Sequence, residues 1–204
     1  MFFDRYLVCT LVLACALTAS TTVPADSFAV DIRVDAQNPQ GPMHPIWRFF
    51  GADEPNYATM KDGRKLLGEL GELRRGDVYF RTHNLLNTGD GTPAFKWGST
   101  NAYTEDAEGR PVYDWGTLDR MFDTYLANGV KPYAQIGFMP QALSIKPEPY
   151  QHAWRPGFDY TLITAGWAYP PRDYTQFGEL VYQWVTHCVE RYGAGEVEKW
   201  YWQT

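Results

Sequence analysis

The sequence predicts an α/β chain, the N-terminal half of a (β/α)8 barrel truncated at its fourth strand. Three observations carry that expectation. Strand-like and helix-like segments alternate three times and then end on a strand, which argues for a parallel sheet with helices outside. Helix-to-strand connections are short (75–76, 129–130 and 193–196) and strand-to-helix connections are long, the asymmetry of a barrel that builds its active site from the latter. A doubly wound sheet shares the alternation but usually carries a glycine-rich phosphate loop after its first strand. Neither GxGxxG nor GxxxxGK(S/T) occurs. A complete barrel takes about 250 residues, so 204 residues less a leader leave room for about half.

Composition narrows the class. With 45% hydrophobic and 16% aromatic residues, the chain is a globular one with an aromatic excess. Its net charge is −6 and it has no Lys/Arg run, which argues against a nucleic-acid partner. Residues 1–25 read as a secretory signal peptide: Arg5, an apolar run from Tyr6 to Leu17 too short to span a bilayer, then small residues. A secreted or periplasmic protein is expected. Val12-Leu13-Ala14-Cys15 loosely resembles a lipoprotein box, which would anchor the chain through a lipid on Cys15. Of the three cysteines, Cys9 and Cys15 lie in this leader, so Cys188 is left without an internal disulfide partner. It falls among Val181, Trp184 and Val185 on an apolar helix face, as a buried structural thiol does.

After the leader, residues 26–45 form a lead-in and 46–204 the partial barrel. Phe28 to Asp35 alternates apolar and charged residues, predicting a strand with one buried face, and Asn38-Pro39-Gln40-Gly41-Pro42 breaks the chain. Ile46 to Gly51 predicts a mostly buried first barrel strand, ending in Asp53-Glu54-Pro55-Asn56-Tyr57. A helix from about Thr59 to Arg74 follows, with Leu66, Leu67, Leu70 and Leu73 as its inner face. Gly63, Gly68 and Gly71 lower its propensity, so packing must hold it. Asp77 to His83 is the second strand. The excursion from Asn87 to Trp115 is rich in Gly, Thr and Asp, with a hairpin around Glu108-Gly109-Arg110. Thr117 is the expected N-cap of a second helix to about Asn128, with Gly129 its stop and Leu118, Met121, Phe122, Tyr125 and Leu126 its buried stripe. Lys131 to Phe138 is the third strand. A long loop then leads to a third helix that starts at Asp173, with Gln176 in the capping-box position, and runs to about Tyr192. Val197 to Thr204 is the fourth strand.

A barrel places chemistry at the C-terminal ends of its strands. Those ends offer Asp53, Glu54 and Asn56, then Arg81, His83 and Asn84, then Gln135, Phe138 and Met139, and last Gln203. The four histidines, His44, His83, His152 and His187, are scattered without metal spacing, and no Gly-x-Ser-x-Gly occurs. No cofactor is implied. Trp97, Trp154 and Trp167 are aromatic enough to wall a sugar site, though packing is the commoner role for each.

Arg81-Thr82-His83-Asn84-Leu85-Leu86 resembles the segment that ends the second strand in glycoside hydrolase family 39, which contains β-xylosidases and α-L-iduronidases. Pro111 to Trp115 with Leu118 to Asp123 resembles that family's entry to the second helix. Gly129 to Tyr133 with Ile136-Gly137-Phe138-Met139-Pro140 resembles its third strand, and Tyr169 to Tyr174 the start of its third helix. Glu190 to Gly193 and Trp200-Tyr201-Trp202 resemble the approach to its fourth strand. The resemblance runs from Ile46 to Thr204 and implies retaining O-glycoside hydrolysis on an oligo- or polysaccharide or other glycoside. One carboxylic acid protonates the glycosidic oxygen and a second carboxylate, about 5–5.5 Å away, attacks the anomeric carbon. The family places the acid/base just after the fourth strand, beyond Thr204, and the nucleophile on the seventh, so no catalytic residue is expected within 1–204. His83 is implied in the sugar pocket beside the scissile bond, with a core histidine satisfied by backbone as the alternative. Asn84, Glu54 and Trp167 are further substrate-binding expectations. Asp53-Glu54-Pro55-Asn56 echoes the acid/base motif but follows the first strand, which suits a substrate contact or a cap. Arg81 shares the strand face of His83 and either braces a carboxylate or forms a buried ion pair. The reading from another class is a non-catalytic secreted carbohydrate-binding or scaffold protein built from barrel-like segments.

Overall fold

The structure is a computed structural model that describes residues 29–89, 99–151, 156–157 and 164–204. The leader with Cys15, and the sugar-wall expectations Trp97 and Trp154, lie outside the described residues. The chain divides into two units, Met1–Met43 and His44–Thr204.

Of the first unit, residues 29–43 are exposed and form no strand. The strand expected from Phe28 to Asp35 is therefore corrected: Phe28 lies outside the described residues, and 29–35 form no regular element and pair with no strand among the described residues. An alternating pattern makes a strand only where a partner edge and a core accept its apolar side. A turn follows, with the Asn38 amide on the Asp35 carbonyl (3.3 Å).

The second unit is built on four parallel strands, β1 (Phe49–Ala52), β2 (Val78–Thr82), β5 (Val130–Gln135) and β6 (Tyr201–Gln203), ordered β1-β2-β5-β6. Each strand thus lies beside its predecessor in the same direction. A separate antiparallel hairpin, β3 (Tyr103–Glu105) and β4 (Pro111–Tyr113), sits between β2 and the second helix, around the Glu108-Gly109-Arg110 turn. Helices α1 (Lys61–Leu73), α2 (Gly116–Ala127) and α3 (Tyr174–Tyr192) connect the parallel strands, and a short α4 (Ala194–Val197) precedes β6.

Side chains alternate across the sheet. One face carries Val78, Phe80, Val130 and Ala134 into a core shared with Leu118, Met121, Phe122 and Tyr125 of α2 and Leu180, Trp184 and Cys188 of α3. Cys188 is buried as expected, and burial pushes its thiol up to about 12, so it is inert. The opposite face carries Phe49, Tyr79, Tyr133 and Tyr201. The rings of Phe49 and Tyr201 lie 5.5 Å apart although two strands separate them. On a flat sheet their backbones would stand roughly 14 Å apart. Side chains rise roughly perpendicular from a sheet, so the convergence shows the sheet curling toward this face.

Several element boundaries move. A 3-10 turn, Ile46–Arg48, precedes β1, and β1 is an edge strand with exposed Phe49 rather than a mostly buried one. In α1 the expected leucine face is only half right. Leu67 is buried and Leu70 partly so, but Leu66 and Leu73 are 48% and 57% exposed. The inner row is Gly63, Leu67 and Gly71, spaced four apart. A Cβ on Gly63 would collide with the Tyr57 carbonyl, and one on Gly71 with that of Asn128. The glycines let backbone approach where leucine would hold it off. Helix α2 begins at Gly116 without a side-chain cap, so Thr117 is not its N-cap; the Asp114 carboxylate accepts from the Gly116 amide instead (2.9 Å). Gly129 is in the left-handed region, φ 73°, as a helix stop requires. Asp173 does cap α3, accepting from the amides of Thr175 (2.7 Å) and Gln176 (3.4 Å). The fourth strand is shorter than expected, because α4 takes up Val197 and β6 begins at Tyr201.

Candidate functional site

Register fixes which residues meet at the C-terminal ends of the strands. Thr82 pairs with Ala134, Ala134 with Trp202, and Gln135 with Gln203. The residue after Thr82 is His83, so His83, Gln135 and Gln203 form one row across three strands, on the face opposite the helices. Arg81 shares that face. Its Nε donates to Gln203 Oε1 at 2.7 Å, tying the end of β2 to the end of β6. Arg81 thus holds a neutral amide, and neither the braced carboxylate nor the buried ion pair is seen among the described residues. His83 Nδ1 and Gln135 Oε1 are buried atoms without a hydrogen-bond partner among the described residues. A buried polar atom left unpaired is costly, and the two face the same open side of the sheet.

The loops that follow complete a wall. Gly137, after β5, accepts from the Leu86 amide (3.0 Å), which binds the two strand-to-helix segments together. The His83 ring meets Phe138 edge-on, centroids 5.0 Å apart, and Phe138 packs on Trp167 at 4.4 Å. The Trp167 carbonyl accepts from the Met139 amide (3.0 Å). An imidazole, an amide and a pair of rings therefore line one side of the strand ends. Such groups exchange hydrogen bonds with hydroxyls and stack on the C–H faces of a sugar ring.

The sequence-expected residues are not all together. His83 and Trp167 are joined through Phe138. Asn84 is buried with φ 58°, and its Nδ2 donates to the Asp53 carbonyl (3.1 Å) while its Oδ1 has no partner among the described residues. It locks the turn after β2 to the end of β1. Asn56, also buried, donates to the Ser99 carbonyl (3.0 Å), a structural tie to the loop before β3. Glu54 is half-buried beside a cleft of about 60 Å³ between the end of β1 and α1, lined by Ala52, Tyr57, Leu67 and Phe80 among others. The role of Gln135 beside Gln203 follows from strand register, and Tyr150, described below, gave no sequence signal beyond an aromatic residue in a loop.

The opposite end of the sheet is held by ion pairs. Asp77 takes Arg48 (2.6 Å) and Arg74 (2.8 Å), and Lys131 takes Glu196 (3.0 Å), which also accepts from Trp200 Nε1 (3.1 Å). In barrel-like sheets that end serves stability. Among the described residues no group of three or more His, Cys, Asp or Glu could hold a metal, and no helix is long and apolar enough to cross a membrane.

Comparison with known proteins places these observations. Residues 30–204 match the family described as glycosyl hydrolases family 39. A β-xylosidase of Geobacillus stearothermophilus is 32% identical over 158 residues, covering 76% of this chain and 27% of that protein. A β-xylosidase of Caldicellulosiruptor saccharolyticus is 26% identical over 164 residues, covering 80% of this chain and 29% of its own length. Among solved structures, a GH39 enzyme from Xanthomonas axonopodis pv. citri matches with a TM-score of 0.54 at 27% identity, covering 76% of this chain and 26% of that one. A monomeric β-xylosidase from Caulobacter crescentus CB15 matches with a TM-score of 0.53 at 25% identity, with the same coverage of 76% and 26%. The chain thus spans little more than a quarter of the length of these relatives. The motifs read between Ile46 and Thr204 lie within the family match, and the chain belongs to glycosyl hydrolases family 39.

Proposed function

We propose that this chain supplies the first four strands of a (β/α)8 barrel in a retaining, β-xylosidase-like O-glycoside hydrolase. Both catalytic carboxylates then lie outside residues 1–204. Its own part is the wall of the sugar pocket, with His83 and Trp167 on the substrate side and Gln135 beside them, Asn84 fixing the turn that carries His83, and Glu54 on the rim at the end of β1. The observation that carries the reading is the row of His83, Gln135 and Gln203 at the ends of three parallel strands in a family 39 chain. Export through residues 1–25, with a lipid on Cys15 as the form that would anchor it, suits an extracellular glycoside.

Hydrolysis of an aryl β-D-xylopyranoside tests this. Purified 1–204 is expected to release no aglycone, and turnover by it overturns the placement of the carboxylates. In an active polypeptide that contains these residues, His83→Ala is expected to lower kcat/KM by about 10- to 100-fold, the loss from one hydrogen bond to a buried site. An unchanged kcat/KM removes His83 from the pocket.

A further inference from the structure

One buried hydroxyl bridges the two loops that form the wall of the site. The Tyr150 ring is buried with Ala165 and Trp167, and Phe138 packs against this small cluster. Its Oη donates to the Met139 carbonyl (2.9 Å) and accepts from the Thr88 amide (2.8 Å). Met139 is the neighbour of Phe138, and its amide is held by the Trp167 carbonyl. Thr88 belongs to the segment that leaves β2 after His83, and its own hydroxyl accepts from the Gln141 amide (2.9 Å). Tyr150 Oη therefore joins the two strand-to-helix loops between which His83, Phe138 and Trp167 stack. Burial raises the phenol to about 12, with the Thr88 hydrogen bonds lowering it in part, so it remains a donor to Met139 across the neutral range. The loop leaves room for little else here: a Cβ on Gly166 would meet the Lys146 carbonyl and then the Tyr150 ring.

We propose that Tyr150 is a positioning residue, whose hydroxyl fixes the Phe138–Trp167 wall against His83 by bridging Thr88 and Met139. The inference rests on the reading of the strand ends as a sugar pocket. Tyr150→Phe keeps the packed ring and removes only the bridge. Tyr125→Phe is the control, because the Tyr125 hydroxyl is buried without a partner among the described residues.

Nuclear magnetic resonance on an active polypeptide that contains these residues gives the test. His83→Gln in that polypeptide assigns the ring-proton signals of His83. In Tyr150→Phe the Thr88 amide is expected to exchange about tenfold faster, the loss of one hydrogen bond, and the His83 ring signals to shift as Phe138 moves. Tyr125→Phe should change neither. If the His83 signals stay in place in Tyr150→Phe, or move equally in both variants, the positioning role is overturned. Methyl β-D-xylopyranoside is then added to the parent chain. A His83 shift that needs more sugar in Tyr150→Phe supports both readings. If no histidine signal responds in the parent while the first result holds, the sugar pocket falls and the positioning role stands.

Discussion

Gly71 shows how one missing side chain decides a helix's place. In an exposed helix, replacing glycine by alanine stabilises by about 1 kcal/mol. At Gly71 the new Cβ would run into the Asn128 backbone carbonyl, which cannot turn away. At Gly68 it would meet only the Asn128 side-chain Oδ1, at 3.3 Å, which yields by a small rotation. Gly71→Ala is therefore expected to destabilise by about 1–3 kcal/mol and Gly68→Ala to be neutral or stabilising. Thermal melts of the two variants should bracket the parent, and a Gly71→Ala protein that melts at or above it refutes the close approach. Glu196 offers a second residue-scale test. Burial raises its carboxyl, but Lys131 and Trp200 hydrogen bonds outweigh this and hold it below the ordinary carboxylate value. A depressed folded-state value contributes stability above the unfolded-state value, and that stability is lost as pH falls through the folded one. Glu196→Gln should cost about 1 kcal/mol at neutral pH, and the gap to the parent should close below about pH 4. A gap that is constant with pH in urea titrations argues against the pair. At this scale the place of His83 at a strand end was legible because its neighbours form a motif. Tyr150 was not, because its partners lie 62 and 11 residues away, and only the folded loops bring them together.

Elements were legible where apolar spacing and packing agree. The stripe of α2 and the core positions of α3 needed only helical periodicity, since both helices bury one broad face on the sheet. Helix α1 misled because its leucines are abundant but its tightest contact is made by glycines, which carry no hydropathy signal. The lead-in misled in the opposite way, an alternating pattern with no edge to pair. Caps divide likewise. Asp173 was identified from sequence, since its carboxylate needs only amides two and three residues on, whereas the start of α2 is set by Asp114 and the turn before it. Asp173→Ala is expected to destabilise by about 1 kcal/mol. Beyond the cap, α3 is zipped to α2 by Arg191 on Asp123 (2.6 Å) and His187 on Asp119 (2.7 Å), with Trp115 stacked on the His187 ring. Because those contacts hold the helix body, hydrogen exchange in Asp173→Ala should rise in the first turn of α3 and stay unchanged around residues 187–191. Loss of protection along the whole helix would show that the cap, rather than the zip, holds α3.

For the unit His44–Thr204, sequence order translated directly into sheet order, because alternating strands and helices with short returns leave few other arrangements. The curl of the sheet was implied by the barrel expectation, and it is expressed in rings from distant strands meeting on one face. That face has a consequence. Phe49 and Tyr201 are 40% and 42% exposed, and β1 and β6 each present an outer edge that pairs with no other strand among the described residues. Parallel sheets are stable when covered on both faces, and open edges recruit further strands. The chain 1–204 on its own is thus expected to associate, with the aromatic face and the edges as the contacts. Its net charge of −6 opposes this only at long range and is screened by salt within about 10 Å. Light scattering should show a mass above 23.4 kDa that rises with concentration and salt. Tyr201→Lys places a charge on both the exposed face and the β6 edge, and should return the mass toward the monomer while the far-ultraviolet circular dichroism is kept. A parent chain that stays monomeric at high salt and melts in one sharp cooperative step would mean that the curled face is already covered, and the assignment of that face as the inside of a larger barrel would fail with it.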